Sequence, residues 1–256
     1  MKMNFALGLY SYTNKSVDSN TFKKFYILIT AIFDSCGITP TYFAALGNGY
    51  SGNLTKFGGQ QQTKAISTNF SEITTLSIVA NPKNSNEPGY DSLVSASLGY
   101  IEETGETLLC FAFDEEAIDP QSNKFEQFIC ALIDLKFWDF GYGASQRETN
   151  NPEFHILSLD DGNLSEKENS SLIKWYDSAP KERQTKLRGI YPINILNERQ
   201  LKLKIDDSNT LENLINSDKN SSLKLIPNSA LWLWKIKRSA VNKLRKKLEN
   251  SESLII

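Results

Sequence analysis

The sequence predicts an α+β fold: a mainly antiparallel sheet with amphipathic helices packed on one face, closed by a C-terminal β-hairpin and a basic helix. Three observations predict it. In the most apolar and aromatic stretch, Asn123 to Gly143, residues Phe125, Phe128, Ile129, Leu132, Ile133 and Leu135 recur at the spacing of one helical face. A core-facing helix is therefore expected from about Lys124 to Phe137, with Asp119, Ser122 and Asn123 as candidate caps and Gly141 and Gly143 as exits. Second, an earlier segment echoes this one. Displaced by 103 positions, Phe125, Phe128, Ile129 and Leu132 fall on Phe22, Phe25, Tyr26 and Ile29, and the run Leu108 to Phe113 falls on Phe5 to Tyr10. The echo is that of a candidate duplicated βα unit, with both strands in one sheet and both helices on one face, a face that something must cover. Third, Leu93 to Ile101 alternates well enough to pair antiparallel with Thr107 to Phe113 through the turn EETGE.

In chain order, Phe5, Leu7 and Leu9 alternate with Ala6, Gly8 and Tyr10, as suits a strand covered on both faces. Asn14 to Asn20 is a polar loop, Thr21 to Cys36 a helix ended by Gly37, and TYFAAL a strand with Pro40 at its entry. The glycine-rich segment Gly47 to Gly59 has neither a GK followed by Ser or Thr nor dinucleotide spacing, so it is a surface loop, with Tyr50 and Phe57 as candidate recognition residues. Asn69 to Ala80 fits a helix or a strand. WDFGYGASQR should pass close to the core, Phe154 to Leu159 is a short strand candidate, Leu172 to Tyr176 belongs to a short helix, and LKLKI, Leu201 to Ile205, alternates like a strand. Thr210 to Ile215 is a capped helical turn, SLKLIP and ALWLWKIK form the closing hairpin around PNS, and Ser239 to Leu248 is the basic helix. One domain over 1–256 is expected, with sub-units 1–148 and 188–256.

At 256 residues the chain can bury a substantial core. Its 28 basic and 30 acidic residues give a formal charge of -2, which disfavours a globally electropositive nucleic-acid binder. Cys36, Cys110 and Cys130 are odd in number and unpaired in spacing, so they read as buried thiols in a reducing compartment. The start MKMNFALGLYSY has no sustained apolar region, and FYILITAIF is too short to span a bilayer, so a cytoplasmic protein with no membrane partner is expected.

Catalytic apparatus is scarce. His155 is the only histidine, and no cysteine lies near it in sequence, so neither a zinc site nor a His-activated nucleophile is indicated, and no cofactor is expected. YGAS lacks the strained elbow that activates a serine. Paired carboxylates stay open: Asp114, Glu115 and Glu116 leave a strand end, and Asp134, Asp139 and Glu148 could approach them as in a glycoside hydrolase. Lys235, Lys237, Arg238, Lys243, Arg245, Lys246 and Lys247 follow Trp232 and Trp234, a pattern that can stack on and neutralise single-stranded nucleic acid. The same residues also read as core tryptophans and a helix with one solvated basic face.

Arg188, Tyr191, Pro192, Asn194, Leu196, Asn197 and Leu201, followed by Leu211 and Ile215 and then Trp234 and Arg245, resemble the C-terminal part of bacterial proteins associated with immunity proteins of polymorphic and contact-delivered toxin systems. The resemblance covers less than a third of the chain and involves no chemical motif. It implies a cytoplasmic, non-enzymatic α+β protein that binds and blocks a cognate toxin. Under that implication the partner-binding residues are Asp114, Glu115, Glu116, Tyr50, Phe57, Asp160 and Asp161, the acidic ones facing a basic toxin cleft. Nucleic-acid association through the C-terminal basic residues and an acidic-cleft enzyme are the alternatives.

Overall fold

The computed structural model describes residues 3–13, 15–81, 92–147, 152–158, 166–249, 251 and 253–255. In chain order the elements are β1 (Met3–Ser11), α1 (Ser19–Ser35), β2 (Tyr42–Gly47), β3 (Tyr50–Ser51), β4 (Thr55–Lys56), α2 (Gln60–Ser67), β5 (Ile73–Ala80), β6 (Val94–Ile101), β7 (Glu106–Asp114), α3 (Asn123–Ile133) and β8 (Phe140–Arg147). They continue as α4 (Pro152–Leu157), α5 (Glu166–Asp177), α6 (Pro180–Thr185), β9 (Ile193–Asn197), α7 (Glu198–Leu201), α8 (Leu211–Ser217), β10 (Ser221–Leu225), β11 (Leu231–Ile236) and α9 (Arg238–Leu248). Among the described residues eleven strands form one sheet in the order β10-β11-β9-β8-β1-β7-β6-β5-β2-β3, with β4 beside β2, and neighbouring strands run antiparallel.

The period-2 pattern of β1 divides its side chains between two cores. Phe5, Leu7 and Leu9 join the large cluster under α1 and α3, and Ala6 and Tyr10 face the opposite side. On the helix side Phe22, Phe25 and Ile29 of α1 and Phe125, Ile129 and Leu132 of α3 meet the sheet, and rings of Phe5, Phe113 and Phe125 contact edge-on or stacked at 5.1 to 5.4 Å. Each such side chain, fully withdrawn from water, contributes about 1.5–3 kcal/mol. Both helices are capped by local chemistry: Thr21 N–H donates to Asp18 Oδ1 at 2.9 Å and Phe125 N–H to Ser122 Oγ at 3.1 Å.

The two βα segments that echo one another are neighbours. β1 and β7 pair with Phe5 opposite Phe113 and Tyr10 opposite Leu108, so a local two-fold relates them, and α1 and α3 bury toward the same cluster. The correspondence ends beyond them, because β8 pairs directly with β1 whereas β6 and β5 separate β7 from β2.

The opposite face is covered as well. Near the centre α4 and α5 lie over β1, β7 and β8, and toward the C-terminal end α8 and α9 bury Leu211, Ile215, Val241 and Leu244 against Leu196, Trp234 and Ile236. Three local expectations are corrected. The segment expected as a strand at 154–159 is the helix α4, begun by a proline, the one residue whose missing N–H costs a helix start nothing. LKLKI is not a strand: Asn197 and Gln200 form a capping box that starts α7 at Glu198, and the chain then makes only an isolated bridge at Lys204. The core-facing helix expected to reach Phe137 is α3, which stops four residues short at Ile133, and the Trp138 indole N–H donates to Leu132 O at 3.1 Å, tying down the exit. The open segment at 69–80 contains the strand β5. No helix of the described residues is long and apolar enough to cross a membrane.

Candidate functional site

β8 is built for two different neighbours. Its sequence FGYGA sends Phe140, Tyr142 and Ala144 to the second face, while Gly141 and Gly143 face β1 side chains on the first. A Cβ at Gly143 would stand 2.2 Å from Phe5 Cζ, so only glycine admits that ring. Gly8 on β1 plays the reciprocal part: a Cβ there would lie 2.6 Å from Ile156 Cγ2, so α4 descends onto the sheet over a glycine.

Over this face aromatic rings form a continuous stack. Tyr10 lies parallel to Phe140 at 5.0 Å and to Tyr142 at 5.5 Å, Tyr142 lies parallel to Tyr191 at 4.6 Å, and Trp175 of α5 meets Tyr10 and Phe140 edge-on. Their hydroxyls form a directed chain. Tyr10 has one proton and donates it to Ile156 O at 2.7 Å, so at the 2.7 Å contact between phenols Tyr142 is the donor. The Tyr142 oxygen in turn accepts from Arg188 Nη1. Burial raises the pKa of Tyr10, Tyr142 and Tyr191, so all three stay neutral phenols. His155 of α4 contacts the Tyr191 hydroxyl at 3.0 Å through Nε2, and burial, followed by the charges of Arg188 and Arg245, lowers its pKa well below the usual value.

The stack ends at a cavity of about 810 Å³ between β8, α4, α5, α9 and the segment leading into β9. Its walls include His155, Leu172, Arg188, Tyr191, Arg238 and Arg245. Asn194 fixes the turn that presents Tyr191, accepting from its N–H at 3.2 Å and donating to its carbonyl at 2.7 Å. Arg245 Nη2 donates to Ile190 O at 2.9 Å, which joins α9 to the same turn. A second concavity, about 940 Å³, lies between the end of α3, the β10–β11 turn and α7, and there Phe137 and Leu225 are 65% and 54% exposed.

The structure scatters the residues expected to bind a partner. Asp114 is buried at the end of β7, where its Oδ1 accepts from Glu116 N–H at 2.9 Å. Glu115 pairs with Arg238, and Glu116 is exposed. Tyr50 is buried, its hydroxyl 3.1 Å from Thr68 Oγ1 and its ring under Lys64 at 4.4 Å, and Phe57 is half-buried against the main core. Asp160 and Asp161, like Glu148, lie outside the described residues. Asp134 and Asp139 line the second concavity together, but Asp139 Oδ2 accepts from Tyr12 N–H at 2.8 Å. Among the described residues no group of three or more His, Cys, Asp or Glu is placed to hold a metal ion.

Of the C-terminal bases, Lys237, Arg238, Lys243, Arg245, Lys246 and Lys247 are exposed, Arg238 as the partner of Glu115, whereas Lys235 is half-buried with its Nζ 3.4 Å from Glu126 Oε2. Trp234 is fully buried, with its indole N–H donated to Ser221 Oγ at 3.1 Å, and Trp232 is half-buried against the same core. The aromatic platform that would accompany the basic helix is therefore largely interior.

The residues that carried the family resemblance have separate physical duties. Arg188, Tyr191, Pro192 and Arg245 line the first cavity, Asn194 clamps Tyr191, Asn197 caps α7, and Leu196, Leu201, Leu211, Ile215 and Trp234 form the C-terminal core. The role of Arg188, a buried cation of the second face, had no local signal, because its partners Tyr142 and Ser158 lie at least 30 positions away.

No family model matches the chain, and no curated protein matches it. Among solved structures it is similar to the Pseudomonas aeruginosa T6SS protein PA0821, with a TM-score of 0.63 and 12% identity, over 98% of this chain and 73% of that one. It also aligns with the toxic C-terminal tip of CdiA from Pseudomonas aeruginosa in complex with immune protein, at a TM-score of 0.31 and 11% identity, over 59% of this chain and 90% of that one. The first likeness is one of fold, and the second is too distant to bear on it.

Proposed function

We propose that this chain is a cytoplasmic protein that binds and blocks a toxin belonging to a contact-delivered or secretion-delivered system. The observation that carries the proposal is the fold shared with the T6SS protein PA0821 along nearly the whole of this chain. A second feature fits the same reading. Phe137 and Leu225 stand exposed in one concavity whose rim carries Asp134, Asp139 and Glu198 against Lys136 and Arg199. An exposed aromatic anchor inside a polar, slightly acidic rim is suited to a protein surface with an apolar pocket and a basic border. Glu116, exposed beyond β7, adds a further carboxylate for steering encounter.

Co-expression with a toxin encoded beside this gene, followed by calorimetry of the purified pair, tests the proposal. A one-to-one complex that abolishes toxicity is expected. Survival of full toxicity in the presence of folded protein, with no complex formed, removes the reading.

A further inference from the structure

Arg188 is 7% exposed, and its guanidinium has more donors than acceptors around it. Nη1 donates to the Tyr142 hydroxyl and to Ser158 Oγ at 3.3 Å, while Nη2 has no hydrogen-bond partner. Among the described residues no carboxylate pairs with it. The ring faces of Tyr142 at 5.3 Å and Trp175 at 5.6 Å stabilise the cation in part, yet a buried charge ordinarily takes a counter-charge. Arg188 also forms part of a cavity wall that carries two further guanidinium groups, Arg238 and Arg245, against one carboxylate, Glu249. Arg238 is engaged by Glu115 and donates to Ser145 Oγ at 3.2 Å, and Arg245 donates through Nη2 to Ile190 O at 2.9 Å, a single hydrogen bond for a group with five donors. A cationic wall of this kind, one arginine buried and two open to solvent, stands out in a chain whose formal charge is -2.

The remaining wall combines apolar and aromatic residues, Leu172, Tyr191, Pro192, Val241 and Leu254, with the polar Ser145, Gln146, His155, Ser171 and Asn242, and a volume of about 810 Å³ is that of a small-molecule site. Arginine forks match the oxygens of a phosphate, and a dianion answers two cations better than a single carboxylate does. We propose that this cavity binds a small phosphate ester, its phosphoryl group held on the Arg188 and Arg245 side and its organic body against Tyr191 and the apolar wall. The ligand ties α9 to the turn before β9 and to α4. The inference stands apart from the toxin-binding proposal, since neither Phe137 nor Glu116 takes part in it.

The test is calorimetry and thermal unfolding of the full chain with adenosine monophosphate, inorganic phosphate and succinate as probes, at low and moderate salt. Adenosine monophosphate is expected to bind and raise Tm, more weakly as salt rises. Inorganic phosphate should bind at least tenfold more weakly, because it lacks the body. Because Arg188→Gln can fail to fold, the diagnostic variants are Arg245→Gln, expected to weaken binding at least tenfold, and Lys243→Gln on the same helix but outside the wall, expected to leave it unchanged. Absence of binding by both phosphate probes at millimolar concentration, preference for succinate, or equal weakening by Lys243→Gln and Arg245→Gln would each overturn the proposal.

Discussion

Arg183 of α6 and Glu106 of β7 form an ion pair at 3.1 Å with side chains only 8% and 7% exposed, joining a surface helix to the edge of the central strands. Arg183 also donates to Ser178 O at 3.1 Å and to Tyr176 O at 2.5 Å, and lies over the rings of Tyr12 and Trp175. Removing one member leaves the other charge buried. Arg183→Met is expected to cost about 3–5 kcal/mol in urea unfolding, and the double variant Arg183→Met with Glu106→Gln should recover part of that loss. A double variant no more stable than the single would show that the ion pair is not the source.

The Phe5 ring seated over Gly143 predicts a steric penalty without any loss of hydrogen bonding. Gly143→Ala should destabilise the fold by about 1–3 kcal/mol, since Phe5 has to leave its rotamer or β8 has to move away from β1. Chemical denaturation measures the cost, and a change within 0.5 kcal/mol of zero would mean that the ring yields freely.

Glu153, at the start of α4, has its carboxyl pushed up to about 7 by burial. Its folded pKa is above the unfolded one, so the folded state holds the proton longer. Its contribution to stability is therefore greatest below the ordinary carboxylate range, declines as pH rises toward 7, and is flat above that. Over this window the loss amounts to roughly 3 kcal/mol. Glu153→Gln should flatten the decline, as read from unfolding midpoints between pH 4.5 and 8, and a wild type whose stability falls no faster than the variant's would refute the assignment.

Phe137 projects from the exit of α3 without joining the core, so its truncation separates binding from folding. Phe137→Ala should leave unfolding within about 0.5 kcal/mol of the parent and weaken toxin binding at least tenfold. Equal affinity of parent and variant would move the interface away from this concavity.

The sequence was most informative where pattern and packing coincide. The alternation of 93–101 and 107–113 gave the β6–β7 hairpin because each strand has one face on the helices. The apolar periodicity around Phe125 gave α3 for the same reason. It misled where alternation arose without a sheet, as in LKLKI, even though Asn197 and Gln200 three residues apart were a readable helix start. The short run around Ile156 could not choose between strand and helix by period. The exposed bases of α9 were legible as one face of a helix. The cavity was not, since Ser145 of β8, His155 of α4, Leu172 of α5 and Arg188 meet only through the folding of the sheet, and nothing local marks an arginine as buried.

The place of β1 at the heart of the sheet has a consequence for biosynthesis. Its partners on the two sides, β7 and β8, are encoded roughly 100 and 130 residues later. At about 5–20 residues per second a ribosome needs on the order of ten seconds to deliver them. During that interval the strand carrying Phe5, Leu7 and Leu9 has emerged with neither neighbour to pair with, so its earliest shelter must come from α1 or from a chaperone. The pairing of the most central strand is among the later contacts that a nascent chain can make.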